Sequence, residues 1–291
     1  MKIKRPKSDM ILLAISYFIM IIAAAIILIP FLNIISKCFS DNNAVVSGKV
    51  GIWPVGFQLD TITYVFSQPR FLQAGGLSVL VTVLGTVIGI VITGMTAYPL
   101  SKKNLPGIKA ILVLFVFTML FNGGIIPTYL LMNQMKLLNT FWVLLLPLML
   151  SVYNMLIIKN YYESIPESIE ESAKIDGASN FYTFVKIIVP LSVPVYATII
   201  LFIAVAYWND YFNPMMYITK SSLKTLQLYL RDIIAEASDS LDSNREDSWM
   251  NMSTEGMRSA TILASIIPVL CVYPFVQKYF IKGIMIGSVK G

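Results

Sequence analysis

Six long apolar stretches leave this chain little choice of fold. Residues 10–35, 71–100, 110–135, 137–158, 187–209 and 259–277 each reach the roughly 20 apolar residues that cross a bilayer, and the first four carry no charge beyond their ends. A lipid-spanning segment must satisfy its own backbone, so apolar runs of this length predict helices. The chain therefore reads as an all-α integral membrane protein of six transmembrane helices. The spans are placed at 10–35, about 74–100, 110–132, 138–158, 187–210 and 259–278. Only 13% of the 291 residues are charged, against about 25% in a soluble domain.

Orientation follows from the basic residues, which collect on the cytoplasmic side of short loops. With the N-terminus inside, 13 of the 22 basic residues fall on the inner face with 6 of the 16 acids. Both termini, residues 1–9 and 281–291, are then cytoplasmic tails. The net charge of +6 is a topology signal in this arrangement, and no nucleic acid partner is expected. The run Lys2, Lys4, Arg5 and Lys7 precedes an apolar stretch much longer than the 7–15 residues of a signal peptide core, so residues 10–35 read as an uncleaved anchor.

Several chemistries are excluded by composition. The chain has no histidine, which removes histidine metal sites, proton relays and Ser-His-Asp catalysis. Cys38 and Cys271 are too few for a disulfide framework and read as small apolar fillers. No phosphate-binding loop is present, since Gly48-Lys49 is followed by Val50 and lacks the upstream glycine. No cofactor is expected on this chain, and if the protein uses ATP another chain binds it.

The segment between the fourth and fifth spans is polar, and it falls inside. Ser164-x-x-Glu167 reads as a capping box with Pro166 in the first turn, and Glu170 with Lys174 as a supporting i,i+4 pair. Gly177 is a natural stop, and Ser179 or Asn180 can cap a second helix that presents Phe181, Phe184 and Val185. Glu163, Glu167, Glu170, Glu171 and Asp176 stand against Lys174 alone. An acidic helix is disfavoured at an anionic inner leaflet, so a protein partner is expected there.

These residues resemble the E-A-A---G motif of bacterial ABC importer permeases. The match runs through Glu171-Ser172-Ala173, Asp176-Gly177-Ala178, Phe184, Ile187, Pro190-Leu191 and Pro194, with Ser172 where the family usually has alanine. Ser164-Ile165-Pro166-Glu167 is similar to the family's S-I-P-x-E approach, and Trp208-Asn209-Asp210 to the W-N-[DE] of sugar permeases. Residues 277–283 and 287–291 look like the C-terminal pattern of maltose-type permeases. Residues 121–129 resemble the F-x-G-G-[LI]-[IL]-P-x-Y stretch of their LplC/YtcP-like subgroup.

The resemblance covers about residues 10–291. It implies a type-1 ABC importer permease fold, with a transmembrane domain over 71–280 and a cytoplasmic coupling helix at about 164–184. Glu170, Glu171, Ser172, Ala173, Asp176, Gly177 and Ala178 would then face the ATPase. The implied partners are a second homologous permease, two ABC ATPase subunits, an extracellular solute-binding (lipo)protein, the lipid bilayer and a carbohydrate, in a bacterial plasma membrane. An ion-coupled secondary sugar transporter is the alternative. It would need intramembrane carboxylates, which the first four spans lack.

Other residues keep two readings. Tyr153 and Asn154, and Tyr207, Trp208, Asn209 and Asp210, combine rings with hydrogen-bonding groups as a sugar pathway would, and serve equally as interhelical or interfacial contacts. Gly123, Gly124 and Pro127 break the third span, as a gate or hinge or through close helix packing. Gly85-x-x-x-Gly89 reads as packing. The external segment 36–70 is expected to rest partly on the membrane surface, and 213–258 is a solvated connector or a docking surface. Within 213–258, residues 225–237 read as an amphipathic helix and 238–249 as a mobile loop.

Overall fold

In the computed structural model the long apolar runs become helices, but fewer of them are straight than hydropathy suggests. The structure describes residues 7–102, 104–239 and 253–288. In chain order the helices are α1 (Lys7–Cys38), α2 (Asn42–Val46), α3 (Asp60–Ser67), α4 (Pro69–Leu100), α5 (Ile108–Leu120), α6 (Ile125–Gln134), α7 (Trp142–Leu145), α8 (Val152–Glu163), α9 (Glu167–Ile175), α10 (Asn180–Leu191), α11 (Val193–Asn209), α12 (Phe212–Tyr217), α13 (Leu226–Asp239) and α14 (Thr254–Ser288). The described residues divide into two units, one drawn from Met1–Pro69 and Asp232–Ile267, the other from Arg70–Arg231 and Pro268–Gly291.

In the first unit α1 is long and apolar enough to span, and among the described residues nothing buries its apolar window. The chain after α2 folds back along the end of α1. Asn33 Nδ2 donates to the carbonyls of Val50 at 3.1 Å and Gly51 at 2.8 Å, Ser36 Oγ donates to Ile52, and Val55 N donates to Ser40 Oγ at 3.0 Å. That leaves Trp53 and Phe57 exposed beside the helix end, where interfacial aromatics belong. Cys38 is buried, as a small filler should be, while Cys271 is exposed.

The second unit holds the larger core, built on Val81, Ala97, Met155, Ile158, Ile188, Ile199 and Ile203. Among the described residues, α4, of 32 residues, is the helix of this unit long and apolar enough to span unbroken. Gly85 and Gly89 make its close contact with α11. A Cβ at Gly85 would lie 2.5 Å from the Tyr207 ring, and one at Gly89 3.4 Å from Ile203. The small-xxx-small pattern is therefore a packing seam.

Three expected spans are broken. α5 and α6 are bent by 111° at residues 121–124, α7 with its 3₁₀ continuation and α8 by 52°, and α10 and α11 by 83°. At 13 residues α5 is only about 20 Å long, short of a hydrocarbon core of about 30 Å. Hydropathy averages composition over a window and is blind to direction, so two short helices at an angle read as one span. The fifth span was expected from residue 187, but α10 runs on through a π turn at Phe184–Ile188 and the long helix begins at Val193. Pro190 and Pro194 lack the amide hydrogens that would carry one helix straight through.

The amphipathic helix expected at 225–237 is α13, with Leu226 and Leu230 buried, and Thr225 Oγ1 accepts from Leu228 N at 3.5 Å near its start. Ser238 and Asp239, placed in a loop by sequence, are its last residues, and 240–249 lie outside the described residues.

Candidate functional site

α9 is a nine-residue helix assembled from local signals. Glu167 and Glu170 occupy its first turn and Lys174 its last, each sign matching the helix dipole. Its C-terminus closes in a Schellman motif. Gly177 adopts φ +80°, its amide donates to the Lys174 carbonyl at 3.0 Å, and the Ala178 amide donates to the Ala173 carbonyl at 2.9 Å. Ser179 then caps α10, its Oγ accepting from Tyr182 N at 3.2 Å.

Two local expectations are corrected. Ser164 does not cap α9. It ends α8, and its hydroxyl donates to the Tyr161 carbonyl at 2.7 Å, so Pro166 occupies the cap position with no side-chain bond. Glu170 does not pair with Lys174 but with Lys102, just beyond the end of α4. A half-buried carboxylate takes the cation that shares its burial over a flexible one in water.

The helix has two faces. Ala173 is buried, and Glu170 turns toward Lys102. Glu171, Ser172, Asp176 and Gly177 are exposed, and Ala178 is half-buried. Ile175 also faces outward, 86% exposed. A bare isoleucine among carboxylates is a natural contact residue for a protein partner.

Behind α9 lies an aromatic cluster. Lys102 Nζ sits 4.4 Å from the centroid of the Tyr98 ring. Tyr98 lies 4.9 Å from Phe184 and 6.1 Å from Tyr162, and the hydroxyls of Tyr162 and Tyr196 are 2.6 Å apart. Phe184, expected to be presented with Phe181, is buried, while Phe181 is exposed. A cavity of about 430 Å³ opens between the end of α4 and α9.

Residues 105–286, more than half of the chain, match the family described as binding-protein-dependent transport system inner membrane component. The chain belongs to that family. Among its relatives, Protein LplC of Bacillus subtilis (strain 168) is 44% identical over 92% of this permease and 90% of that protein. The polygalacturonan/rhamnogalacturonan transport system permease protein YtcP of the same organism is 41% identical over 94% of this chain and 96% of that one. A solved bacterial ABC transporter involved in the import of the acidic polysaccharide alginate has a chain that superimposes with a TM-score of 0.89. That match is at 33% identity and covers 96% of this chain and 100% of that one. The protein is thus an ABC importer permease, a membrane protein with a transport role.

The pathway candidates do not form one cluster. Tyr153 is exposed and Asn154 buried in the first turn of α8. Tyr207 is buried and its hydroxyl donates to the Leu145 carbonyl at 2.7 Å, which makes it a strut between helices. Trp208 is buried as well, against the expectation of an interfacial anchor in this chain. Asn209 bonds back to Val205, and Asp210 accepts from the Asn213 amide and side chain at 3.2 and 2.9 Å. Among the described residues no hydrogen bond joins Tyr153 or Asn154 to the 207–210 group.

Gly124 has φ +92° and ψ 167°, a conformation almost confined to glycine, and stands at the start of α6. Nothing lies within 4 Å of a Cβ built at Gly123, and only Pro127 Cδ at 3.8 Å near Gly124. Among the described residues, close packing is therefore not what these glycines serve. Asn139 was missed altogether. Its Oδ1 accepts from Thr219 N at 2.7 Å, Thr219 Oγ1 at 3.0 Å and Lys220 N at 2.9 Å, a knot between residues 80 apart that no local pattern announces.

Proposed function

We propose that this permease is half of a heterodimeric translocation pathway for a carbohydrate, an oligosaccharide in particular, with α9 as the element that receives force from a separate ATPase. In this reading a second homologous permease completes the pathway, and two ATPase subunits carry ATP and magnesium on the cytoplasmic side. An external solute-binding protein delivers the substrate. Both termini face the cytoplasm. Closure of the ATPase dimer displaces α9, and α8 and α11, joined to it along the chain, rock to open the translocation pathway outward.

One observation carries the reading: α9 presents Glu171, Asp176 and a bare Ile175 on an outward face, on a helix whose C-terminus is closed at Gly177 and whose successor is capped by Ser179. The acid excess disfavours the anionic inner leaflet as its partner. The transport roles in the names of YtcP and of the alginate importer support a carbohydrate substrate. Asn154 and Asp210 remain the hydrogen-bonding candidates for the pathway and Gly123, Gly124 and Pro127 for its gate, with Tyr153, Tyr207, Trp208 and Asn209 as neighbours.

Reconstitution with the ATPase and partner permease tests the reading. Gly177→Val places a branched side chain at φ +80° and is expected to abolish ATP-dependent uptake while membrane insertion continues. Ile175→Ser changes an exposed side chain that touches no core. It should leave thermal stability within about 0.5 kcal/mol and sharply reduce the ATPase retained on purification. Uptake driven by an ion gradient in vesicles without ATPase would sink the proposal.

A further inference from the structure

We propose that Lys102 and Glu170, seated on Tyr98, form a second mechanical link by which α9 moves α4 as well as the two spans it adjoins along the chain. The link rests on the reading of α9 as the ATPase-docking helix. Chain connectivity ties α9 to α8 and, through α10, to α11. It offers no route to α4, which ends 67 positions before the chain reaches Glu167.

The ion pair supplies that route. Lys102 stands just past Leu100, and its ammonium meets a carboxylate 68 residues further along the chain. The pair is partly withdrawn from water, with side-chain exposures of 29% for Lys102 and 14% for Glu170. Beside it the cavity of about 430 Å³, lined by Asn104, Leu105, Glu167 and Lys174 among others, separates the end of α4 from α9. The pair is the bridge across that gap.

Its position under load follows from what lies beneath. Tyr98 is on α4, Tyr162 on α8 and Phe184 on α10, and the Tyr162 hydroxyl meets Tyr196 on α11. Gly94 on α4 is where the Tyr196 hydroxyl seats, leaving no room for a Cβ. The ends of four helices thus converge on one ring cluster, with the ion pair joining it to α9. Apolar rings slide past one another at small cost. Pulling the ion pair apart leaves a poorly hydrated carboxylate without a partner, which resists separation far more strongly. A displacement of α9 is therefore passed to α4 as long as the pair holds.

Charge reversal tests the link in the assembled transporter, with the partner permease and ATPases present. Lys102→Glu, Glu170→Lys and the double swap are compared by ATPase retained on purification, ATP hydrolysis rate and uptake per ATP hydrolysed. Each single reversal should keep the ATPase bound and lower uptake per ATP about tenfold, and the swap should restore it to within about threefold, as a directly coupled pair requires. Lys102→Gln keeps a polar side chain, one bond shorter and without the charge, guards against misfolding of the reversals, and should lower uptake per ATP about threefold.

Unchanged uptake per ATP in the single reversals overturns the link, as does a swap no better than the worse reversal. ATPase lost from Glu170→Lys and not recovered in the swap also overturns it, because Glu170 would then belong to the docking surface itself, and the docking reading would stand. Uptake by the unaltered transporter without ATPase overturns both.

Discussion

Gly124 and Gly177 turn the chain alike and hold it differently. Each sits at positive φ between two short helices, and each faces open space or a single proline carbon. Around Gly177 everything is tied. The carbonyl ends of α9 are closed by backbone bonds, α10 is capped by Ser179, Glu170 is paired with Lys102, and Phe184 is buried. α6, which follows Gly124, buries none of its residues. Its polar ties are at its ends: Thr128 Oγ1 donates to the Gly124 carbonyl at 2.8 Å, and the Asn139 knot follows its last turn. A helix tied at many points transmits displacement. One that meets the core only through the half-buried Tyr129 and Met132, with Tyr129 stacked on Tyr217 at 6.2 Å, is held more lightly and swings more easily, as the gate proposed at Gly123, Gly124 and Pro127 requires.

The anchor carries the largest expected effect on stability. Asn139→Ala removes an acceptor that serves three donors, and leaves alanine at the φ of +55° that asparagine tolerates better. A loss of about 2–3 kcal/mol is expected, read from thermal unfolding in detergent, with faster hydrogen exchange confined to residues 125–139. A loss below about 0.5 kcal/mol would remove the anchor from the comparison and leave α6 tied no more firmly at its end than along its length.

The contrast was half legible in the sequence. Gly177 announces itself, because a glycine after an acidic helix and before a serine has local causes and local partners. α1 and α4 are equally plain, since an uninterrupted apolar run specifies a helix through the backbone alone. What could not be read depends on residues far apart in the chain. The capping box at Ser164 looked sound until the Tyr161 carbonyl claimed its hydroxyl. The Glu170–Lys174 pair looked sound until α4 brought Lys102 to the same carboxylate. Asn139 has no pattern around it at all, and its partners begin 80 residues later. The 111° reversal was visible as Gly-Gly and Pro127 but not as an angle, because glycine permits a direction without naming it.

Gly124 and Gly177 also predict different costs for the same substitution. Gly177 stands after a Schellman turn at φ +80°, where alanine costs about 1 kcal/mol. Gly124 has φ +92° with ψ 167°, a region nearly closed to L-residues, and Gly124→Ala should cost about 2 kcal/mol. The bound on the second comes from α6 itself: with only Tyr129 and Met132 half-buried against the core, it can shift to relieve part of the strain. Circular dichroism melts of the two alanine variants, side by side, decide the order. Equal losses would mean that the Gly124 turn relaxes freely and stores no strain.

Gly123→Ala should have the smallest effect, within about 0.5 kcal/mol. Its φ is not in the left-handed region, and a Cβ there meets nothing within 4 Å. The position thus separates two kinds of glycine. Gly85 is small because the Tyr207 ring lies against it, and Gly124 is glycine because of its backbone angles. Gly123 has neither reason within this chain. Its substitution should matter in the assembled transporter, where the proposed second permease can meet the open side of the α5–α6 turn. Stability of the isolated subunit and uptake by the complex therefore give separate answers. A loss above about 1 kcal/mol in the isolated subunit would place a packing contact at Gly123 and make the reversal a packed corner instead of a free turn.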